Sequence, residues 1–112
     1  MAVVNHPRLD EVWLISPDPT QGSEIQKTRP CLVVSPDEIN RPLRTVIIAP
    51  MTTSERPYPT HVTVTFQNKR GQVALDQIRA IDRQRLIRKM GPLPAKTARA
   101  VSTLLVEMFT RL

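Results

Sequence analysis

Cysteine, glycine and aromatic residues are scarce in this sequence: its 112 positions hold one cysteine, three glycines and four aromatics. A single cysteine excludes an intrachain disulfide, and glycines as far apart as Gly22, Gly71 and Gly91 exclude a glycine-rich phosphate loop. No apolar run approaches the roughly 20 residues that a membrane span requires, and the first residues lack the pattern of a signal peptide. We therefore expect a single cytoplasmic domain over residues 1–112, with an aliphatic core and no membrane association.

Metal ligands are equally scarce. Besides Cys31 the sequence offers only His6 and His61, without the paired spacing of a zinc site, and it has no carboxylate cluster suited to Mg²⁺. We therefore expect neither a metal nor another cofactor. Cys31 precedes an apolar run, which favours a buried packing residue over a reactive thiol. His6 falls in residues 1–8, which we interpret as a flexible arm, and His61 begins an alternating run; we interpret both histidines as non-catalytic.

Positively charged side chains outnumber negatively charged ones in this sequence. The net charge is +6, and the excess is concentrated between residues 69 and 96, where only Asp76 and Asp82 oppose a set of basic side chains. These are Lys69, Arg70, Arg79, Arg83, Arg85, Arg88, Lys89 and Lys96. Such a surface attracts polyanions, and nucleic acid is the commonest polyanion in a cytoplasm. A solvated basic face without a partner is the alternative.

Short apolar runs predict strands throughout most of the chain. The run at 61–66 alternates strictly, with Val62, Val64 and Phe66 on one face, so one side of that strand faces water. Eleven prolines separate the runs, and proline belongs in connections and at strand starts because it lacks a ladder donor. The pattern predicts a small closed or partly closed β-barrel. The predicted strands are 11–15, 31–34, 45–49, 61–66, 72–75, 78–81 and 86–90.

The last part of the sequence changes to a helical period. Apolar residues recur at spacings of three and four, which defines one face of a helix that we place at residues 95–111, beginning near Pro94. We expect this face to pack on the sheet rather than to bind a partner. Its members are Val101, Leu104, Leu105, Met108 and Leu112.

Polar side chains lie next to several predicted strands. Glu24 and Arg29 come before the second, Thr52 follows the third and Asp76 precedes the sixth. Each alone has an ordinary explanation as a loop charge, a turn residue or a cap. Together they fit the cleavage of RNA by its own 2′-hydroxyl, which needs a base, an acid and groups that stabilise the phosphorane. Glu24 or Asp76 would be the base, Arg29 a bidentate clamp and Thr52 a hydroxyl donor, without a metal.

Several separated motifs follow one another along the chain, at residues 11–14, 18–20, 22–26, 28–30, 32–36, 49–52, 59–62 and 73–86. In this order they resemble the MazF/PemK/Kid family of toxin–antitoxin endoribonucleases. The resemblance extends from Arg8 to the final helix, and the set of motifs is more specific than any one of them.

The resemblance implies an SH3-like barrel with a C-terminal helix, a homodimer, and metal-independent, sequence-specific cleavage of single-stranded RNA, chiefly mRNA. The expected products carry a 2′,3′-cyclic phosphate and a 5′-hydroxyl. The family's arginine in its Arg-Pro motif falls on Arg29 and its threonine after the third strand on Thr52. Its glutamate after Gly-Ser falls on Glu24, as a base or substrate contact, and its acidic residue before Gln falls on Asp76.

One position departs from the family pattern. The Kid-like branch has an arginine two residues before that acid, and here the residue is Ala74. The departure favours the MazF-like arrangement centred on Arg29 and Thr52, and it leaves open which of Glu24 and Asp76 is the base and which is the acid.

The same resemblance predicts RNA contacts and partners. Gln77 falls where an amide reads the edge of a splayed base, and the further predicted RNA contacts are Arg79, Thr53, Ser54 and Lys27. The resemblance also implies a cognate antitoxin with an acidic, disordered tail that folds along the basic surface and arrests the growth-inhibiting activity. Two alternatives stay open: a gyrase-inhibiting toxin of the same fold, and a non-catalytic RNA-binding barrel.

Overall fold

Strands dominate the fold, in a computed structural model that describes residues 6–16, 28–54 and 56–111. The elements, in chain order, are β1 (Glu11–Ile15), β2 (Arg29–Val33), α1 (Asp37–Asn40), β3 (Thr45–Thr52), β4 (His61–Phe66), β5 (Lys69–Ala74), β6 (Arg79–Asp82), β7 (Leu86–Pro92) and α2 (Ala95–Phe109). Two single turns of 3₁₀ helix, Leu75–Gln77 and Arg83–Arg85, flank β6. The mainly β fold with a C-terminal helix that the sequence predicts is confirmed.

The strands form one antiparallel sheet in the order β4-β5-β3-β2-β1-β7, and β6 pairs with β3. The sheet curls into a half-barrel, so β4 and β7 are its outer strands. Across the gap between these two strands, the Gln67 amide donates a hydrogen bond of 3.1 Å to the Met90 carbonyl. Among the described residues the barrel is therefore partly closed, which is one of the two forms that the sequence predicts.

The main core fills the concave side of the sheet and is covered by α2. Its fully buried members include Leu32, Leu75 and Val101, with Leu104 and Met108 packed against them. The apolar stripe of the helix thus packs on the sheet as predicted, for the members that the structure describes; Leu112 lies outside the described residues. The helix itself ends at Phe109, two residues before the predicted end.

The prolines do not all lie in connections. Pro30 is the second residue of β2, Pro50 lies inside β3 and Pro92 ends β7. At Pro50 the strand changes neighbour, because residues 45–48 pair with β6 and residues 51–52 pair with β5. A residue without an N–H donor fits such an interruption. The prediction that β3 ends before Pro50 is wrong for this reason, and the strand continues to Thr52.

Other strand ends also differ from the sequence prediction. β2 begins at Arg29, two residues early, and β5 begins at Lys69, three residues early. The early start of β5 follows from a two-residue hairpin turn in which Gln67 and Asn68 both have positive φ, at 50° and 65°. Such turns match the twist of the flanking strands, and the strands pair directly from either side of them.

The residues before β1 are partly buried. Pro7 is among the fully buried side chains, and the Arg8 N–H donates to the Glu11 carboxylate at 2.8 Å. The predicted flexible arm, residues 1–8, therefore includes residues that contact the barrel, and its residues 1–5 lie outside the described ranges. No helix in the described parts of the chain combines the length and apolar character needed to cross a bilayer.

Candidate active site

Arg29 and Thr52 lie at the same end of two adjacent strands. β2 and β3 pair through Cys31 and Pro50, and two further steps along each strand lead to Arg29 and Thr52. The β2–β3 pairing ends at this pair, so Arg29 and Thr52 each lie two residues beyond it, at the same end of the two strands. Arg29 is exposed and Thr52 is half-buried. The two residues that the sequence favours most are thus at the same end of neighbouring strands.

A series of turns fixes the Thr52 hydroxyl. The Ser54 N–H donates to Thr52 Oγ1 at 2.8 Å, and the Arg56 N–H donates to Ser54 Oγ at 3.3 Å. Local bonds of this kind are what serine and threonine form in turns. Because the Thr52 oxygen accepts through a lone pair, its own O–H is still able to donate to a ligand. The hydroxyl has a fixed position and a proton to offer.

The same network continues into the neighbouring strand. Gln72 lies opposite Thr52 in the β3–β5 ladder, and its side-chain nitrogen donates to the Arg56 carbonyl at 2.8 Å. Gln72 Oε1 lies 2.8 Å from His61 Nδ1, and His61 Nε2 lies 2.9 Å from Asp76 Oδ1. Hydrogen bonds therefore connect Thr52 with Asp76, although 24 positions separate them in the sequence.

His61 is the least accessible member of its pair. Its side chain is 7% exposed, whereas that of Asp76 is 45% exposed. The Tyr58 ring lies against the imidazole, with ring centroids 4.7 Å apart at an angle of 48°. The imidazole is thus enclosed by Tyr58, Gln72 and Asp76, and only the carboxylate reaches solvent.

Sequence reasoning did not include His61 or Gln72 in the site. From the sequence, Gln72 is the first residue of a short predicted strand, and His61 lies on the solvent-facing side of an alternating strand. One signal was available: a glutamine directly before Val73 and Ala74 places an amide in a run that is otherwise apolar. Its importance follows only from the hairpin register, in which His61 is opposite Ala74 and Gln72 is opposite Thr63.

The other predicted site residues lie around this network. Asp76 and Gln77 are exposed in the 3₁₀ turn after β5, and Arg79 is the exposed first residue of β6. Thr53 and Ser54 are exposed after β3. Glu24 and Lys27 lie outside the described residues.

The predicted basic surface is partly structural. The Arg83 guanidinium donates to the carbonyls of Asn40 and Leu43, at 3.4 and 3.2 Å. Arg85 donates to the Ser16 carbonyl through two nitrogens, at 3.2 and 3.0 Å. The exposed cations of the 69–96 stretch are Lys69, Arg70, Arg79, Arg88, Lys89 and Lys96. Among them Lys89 lies 3.5 Å from the Glu11 carboxylate, and the exposed set as a whole gives this part of the surface its positive charge.

Cys31 is buried at 4% exposure, as predicted, and lies within range of the charges of Arg29, Arg79 and Arg85. Burial raises the pKa of its thiol to about 11, although the charges of Arg29, Arg85 and Arg79 act in the opposite direction. An electropositive setting alone does not produce a reactive thiolate, because desolvation outweighs it here.

Cys31 is therefore expected to resist alkylation in the folded protein. With a pKa near 11 instead of near 9, the thiolate fraction at pH 8 is lower by about 100-fold, and iodoacetamide should react more slowly by at least that factor. The difference should shrink as the pH rises towards 11, where the folded thiol ionises. Mass spectrometry of native and urea-unfolded samples measures both rates, and equal rates at pH 8 would contradict the assignment.

An antiparallel half-barrel with a C-terminal helix, with Arg29 and Thr52 at the same end of β2 and β3, belongs to the class of small barrels that the sequence resemblance implies. The chain belongs to the family of PemK-like, MazF-like toxins of type II toxin–antitoxin systems, which matches residues 9–109.

The sequence is also similar to individual members of this family. The chain is 50% identical to Escherichia coli endoribonuclease PemK over 42 residues, which are 38% of this chain and 32% of PemK. It is 33% identical to endoribonuclease MazF of Staphylococcus saprophyticus over 101 residues, covering 85% of this chain and 84% of that relative. The match thus spans about a third of the length of PemK but most of that MazF.

The fold is also that of solved relatives. The crystal structure of MazE-MazF from Deinococcus radiodurans contains a chain that superposes with a TM-score of 0.79 at 27% identity. The superposition covers 91% of this chain and 94% of that one. The half-barrel with its C-terminal helix is therefore the fold found in MazF structures.

Proposed function

We propose that this chain is the toxin of a type II toxin–antitoxin system and acts as a metal-independent endoribonuclease on single-stranded RNA in the cytoplasm. The observation that carries the proposal is that Arg29 and Thr52 lie at the same end of two paired strands, each two residues beyond the Cys31–Pro50 pair. A cation with a planar fork of donors, next to a fixed hydroxyl, suits the equatorial oxygens of a phosphorane.

The reaction begins with attack of the 2′-oxygen of the RNA on the adjacent phosphorus. A base removes the 2′-hydroxyl proton, the P–O5′ bond breaks, and an acid protonates the leaving oxygen. Arg29 and Thr52 stabilise the charge that develops on the phosphoryl oxygens. Glu24 and Asp76 are the carboxylates of the scheme, and the products are a 2′,3′-cyclic phosphate and a 5′-hydroxyl.

Substrate binding and regulation follow from the charge distribution. The exposed cations of the 69–96 stretch, with Lys27 from outside the described residues, attract the RNA backbone. Gln77 and Arg79 lie in and just after the Asp76 turn, and Thr53 and Ser54 follow Thr52; we propose that all four contact nucleotides next to the scissile bond. An antitoxin with an acidic tail would compete for the same cationic surface, and we propose a homodimer as the active form.

Incubation of the purified chain with a set of single-stranded RNA oligonucleotides in EDTA tests the proposal. We expect cleavage at one short motif, with a 2′,3′-cyclic phosphate on the upstream product and a 5′-hydroxyl on the downstream product, identified by mass spectrometry. Mapping the ends across a whole transcript would define the motif.

Three outcomes would contradict the proposal. A mobility shift with intact RNA indicates a binding barrel, and cleavage that requires Mg²⁺ indicates a metal nuclease. Intact RNA together with inhibited supercoiling by gyrase indicates the gyrase-directed toxin.

A further inference from the structure

The amide of Gln72 determines which ring nitrogen of His61 carries a hydrogen. Gln72 Nε2 donates to the Arg56 carbonyl, which only accepts, so the amide cannot be turned around without losing that bond. Gln72 Oε1 therefore faces His61 Nδ1 at 2.8 Å. An amide oxygen also only accepts, and His61 Nδ1 must be the N–H donor of this contact.

The remaining nitrogen of His61 shares a proton with Asp76. His61 Nε2 and Asp76 Oδ1 are 2.9 Å apart, and a hydrogen bond at this distance needs a proton between them. The proton resides on nitrogen, as an imidazolium facing a carboxylate, or on oxygen, as an imidazole facing a carboxylic acid. In both forms the pair holds one proton more than an Nδ1–H imidazole next to a free carboxylate.

The position of the pair determines where that proton can go. His61 is almost fully enclosed, whereas almost half of the Asp76 side chain is exposed. The proton therefore leaves through the carboxyl group. Hydrogen bonds to the main chain of Arg56 and Ser54 also hold Gln72 in a fixed position relative to Thr52, the residue proposed above to stabilise the phosphoryl oxygens.

We propose, on the basis of the function proposed above, that Asp76 is the general acid of the cleavage reaction and that His61 is the positioning residue that supplies its proton. The 2′-oxygen forms a bond to phosphorus as its proton passes to a separate base. The P–O5′ bond breaks, and the leaving oxygen takes the shared proton from Asp76. The pair is left as an Nδ1–H imidazole beside a carboxylate, and water returns the proton before the next turnover.

A substrate that needs no acid distinguishes this role from a structural one. In RNA with a bridging 5′-sulfur at the scissile bond, the leaving thiolate is stable without protonation. His61→Gln keeps an amide donor near Asp76 and removes the exchangeable proton. We expect His61→Gln to cleave ordinary RNA about 100-fold more slowly than the parent, the lower limit typical of general acid catalysis, and to cleave the thio substrate within about fivefold of it.

Two further variants complete the experiment. Asp76→Asn, at an exposed position that tolerates a neutral amide, should show the same loss and the same recovery. Thr52→Val removes a group that contacts phosphoryl oxygens, so its loss should be as large on the thio substrate as on ordinary RNA. The melting temperature of each variant shows whether it is folded. If His61→Gln is unfolded, Asp76→Asn still tests the assignment of the acid.

The outcomes separate this inference from the function on which it rests. Equal losses of His61→Gln on both substrates, or no loss on ordinary RNA, would overturn the assignment of the acid and leave the nuclease intact. Parental rates for Thr52→Val on both substrates would instead contradict the proposed active site.

Discussion

Replacement of Arg29 by alanine should lower the single-turnover rate constant of RNA cleavage by about 10³-fold, the upper range for loss of one charge-stabilising donor. Arg29 is exposed at the start of β2, so the change removes no core contact and should leave the melting temperature near that of the parent. The loss should appear in the rate constant more than in RNA affinity, because the guanidinium binds charge that develops in the transition state.

Two control variants show whether geometry or charge is responsible. Arg29→Lys keeps the positive charge but loses the planar fork, so its rate constant should lie between those of the parent and of Arg29→Ala. Arg99→Ala removes an equally exposed cation from α2 and should leave the rate constant within about twofold, because a single distant charge is screened by salt. An Arg29→Ala rate within a few-fold of the parent would rule out the assignment of the clamp.

The strands were predictable from sequence where alternation or apolar runs marked them. β1 and β4 have the predicted bounds, because clear turn residues enclose their alternating or apolar segments. The predicted end of β3 is wrong because proline normally interrupts a strand, whereas the change of neighbour from β6 to β5 makes Pro50 compatible with this one. The point at which a strand changes its hydrogen-bonded neighbour depends on the whole sheet, so it cannot be predicted from the sequence of that strand alone.

The short helix α1 was also missed. Only four residues long, it has no helical period of its own and depends on tertiary contacts. Asn40 is fully buried and donates to the Ser35 carbonyl at 2.8 Å, while the Ile47 N–H donates to the Ser35 hydroxyl at 3.1 Å. The turn is thus fixed to β3 by two buried polar side chains, and partners so far apart are not visible in a local pattern.

The candidate site likewise contains residues that a local sequence pattern proposes and residues that only the fold brings together. The sequence proposes Arg29 and Thr52 because each belongs to a recognisable local motif. It does not propose His61 or Gln72, because their contacts depend on which residues oppose each other in the β4–β5 and β3–β5 ladders. The sequence also proposes a carboxylate at Asp76, whereas the hydrogen bond between Asp76 and His61 follows from the fold.

The pairing of β3 with β5 also makes the candidate site sensitive to substitution of one glycine, Gly71. Gly71 is buried in β5 next to Gln72, and the backbone of Thr52 passes directly over it. A β-carbon on Gly71 would overlap the carbonyl oxygen of Thr52 and lie 3.3 Å from its carbonyl carbon. Both atoms belong to the main chain, so relief requires movement of the end of β3 itself.

Gly71→Ala is therefore expected to destabilise the fold by about 3 kcal/mol, at the upper end of what overpacking costs. A loss of stability would be informative, because at an unconstrained strand position alanine is more stable than glycine by about 0.5–1 kcal/mol. Urea unfolding measures the free energy. A neutral or stabilising result would show that the close approach of β3 to β5 does not constrain the chain.

The same substitution should reduce RNA cleavage more than unfolding explains. Movement of the Thr52 backbone displaces its hydroxyl from Arg29 and breaks the register with Gln72, so the rate constant of the folded fraction should fall by about 100-fold, as small misplacements at reacting groups do. Thr65→Ala, an exposed change in the same hairpin, should cost at most about 1 kcal/mol and leave cleavage unchanged. A folded Gly71→Ala protein with parental activity would mean that Thr52 acts without a fixed position, since its main chain must move to accommodate the added methyl group.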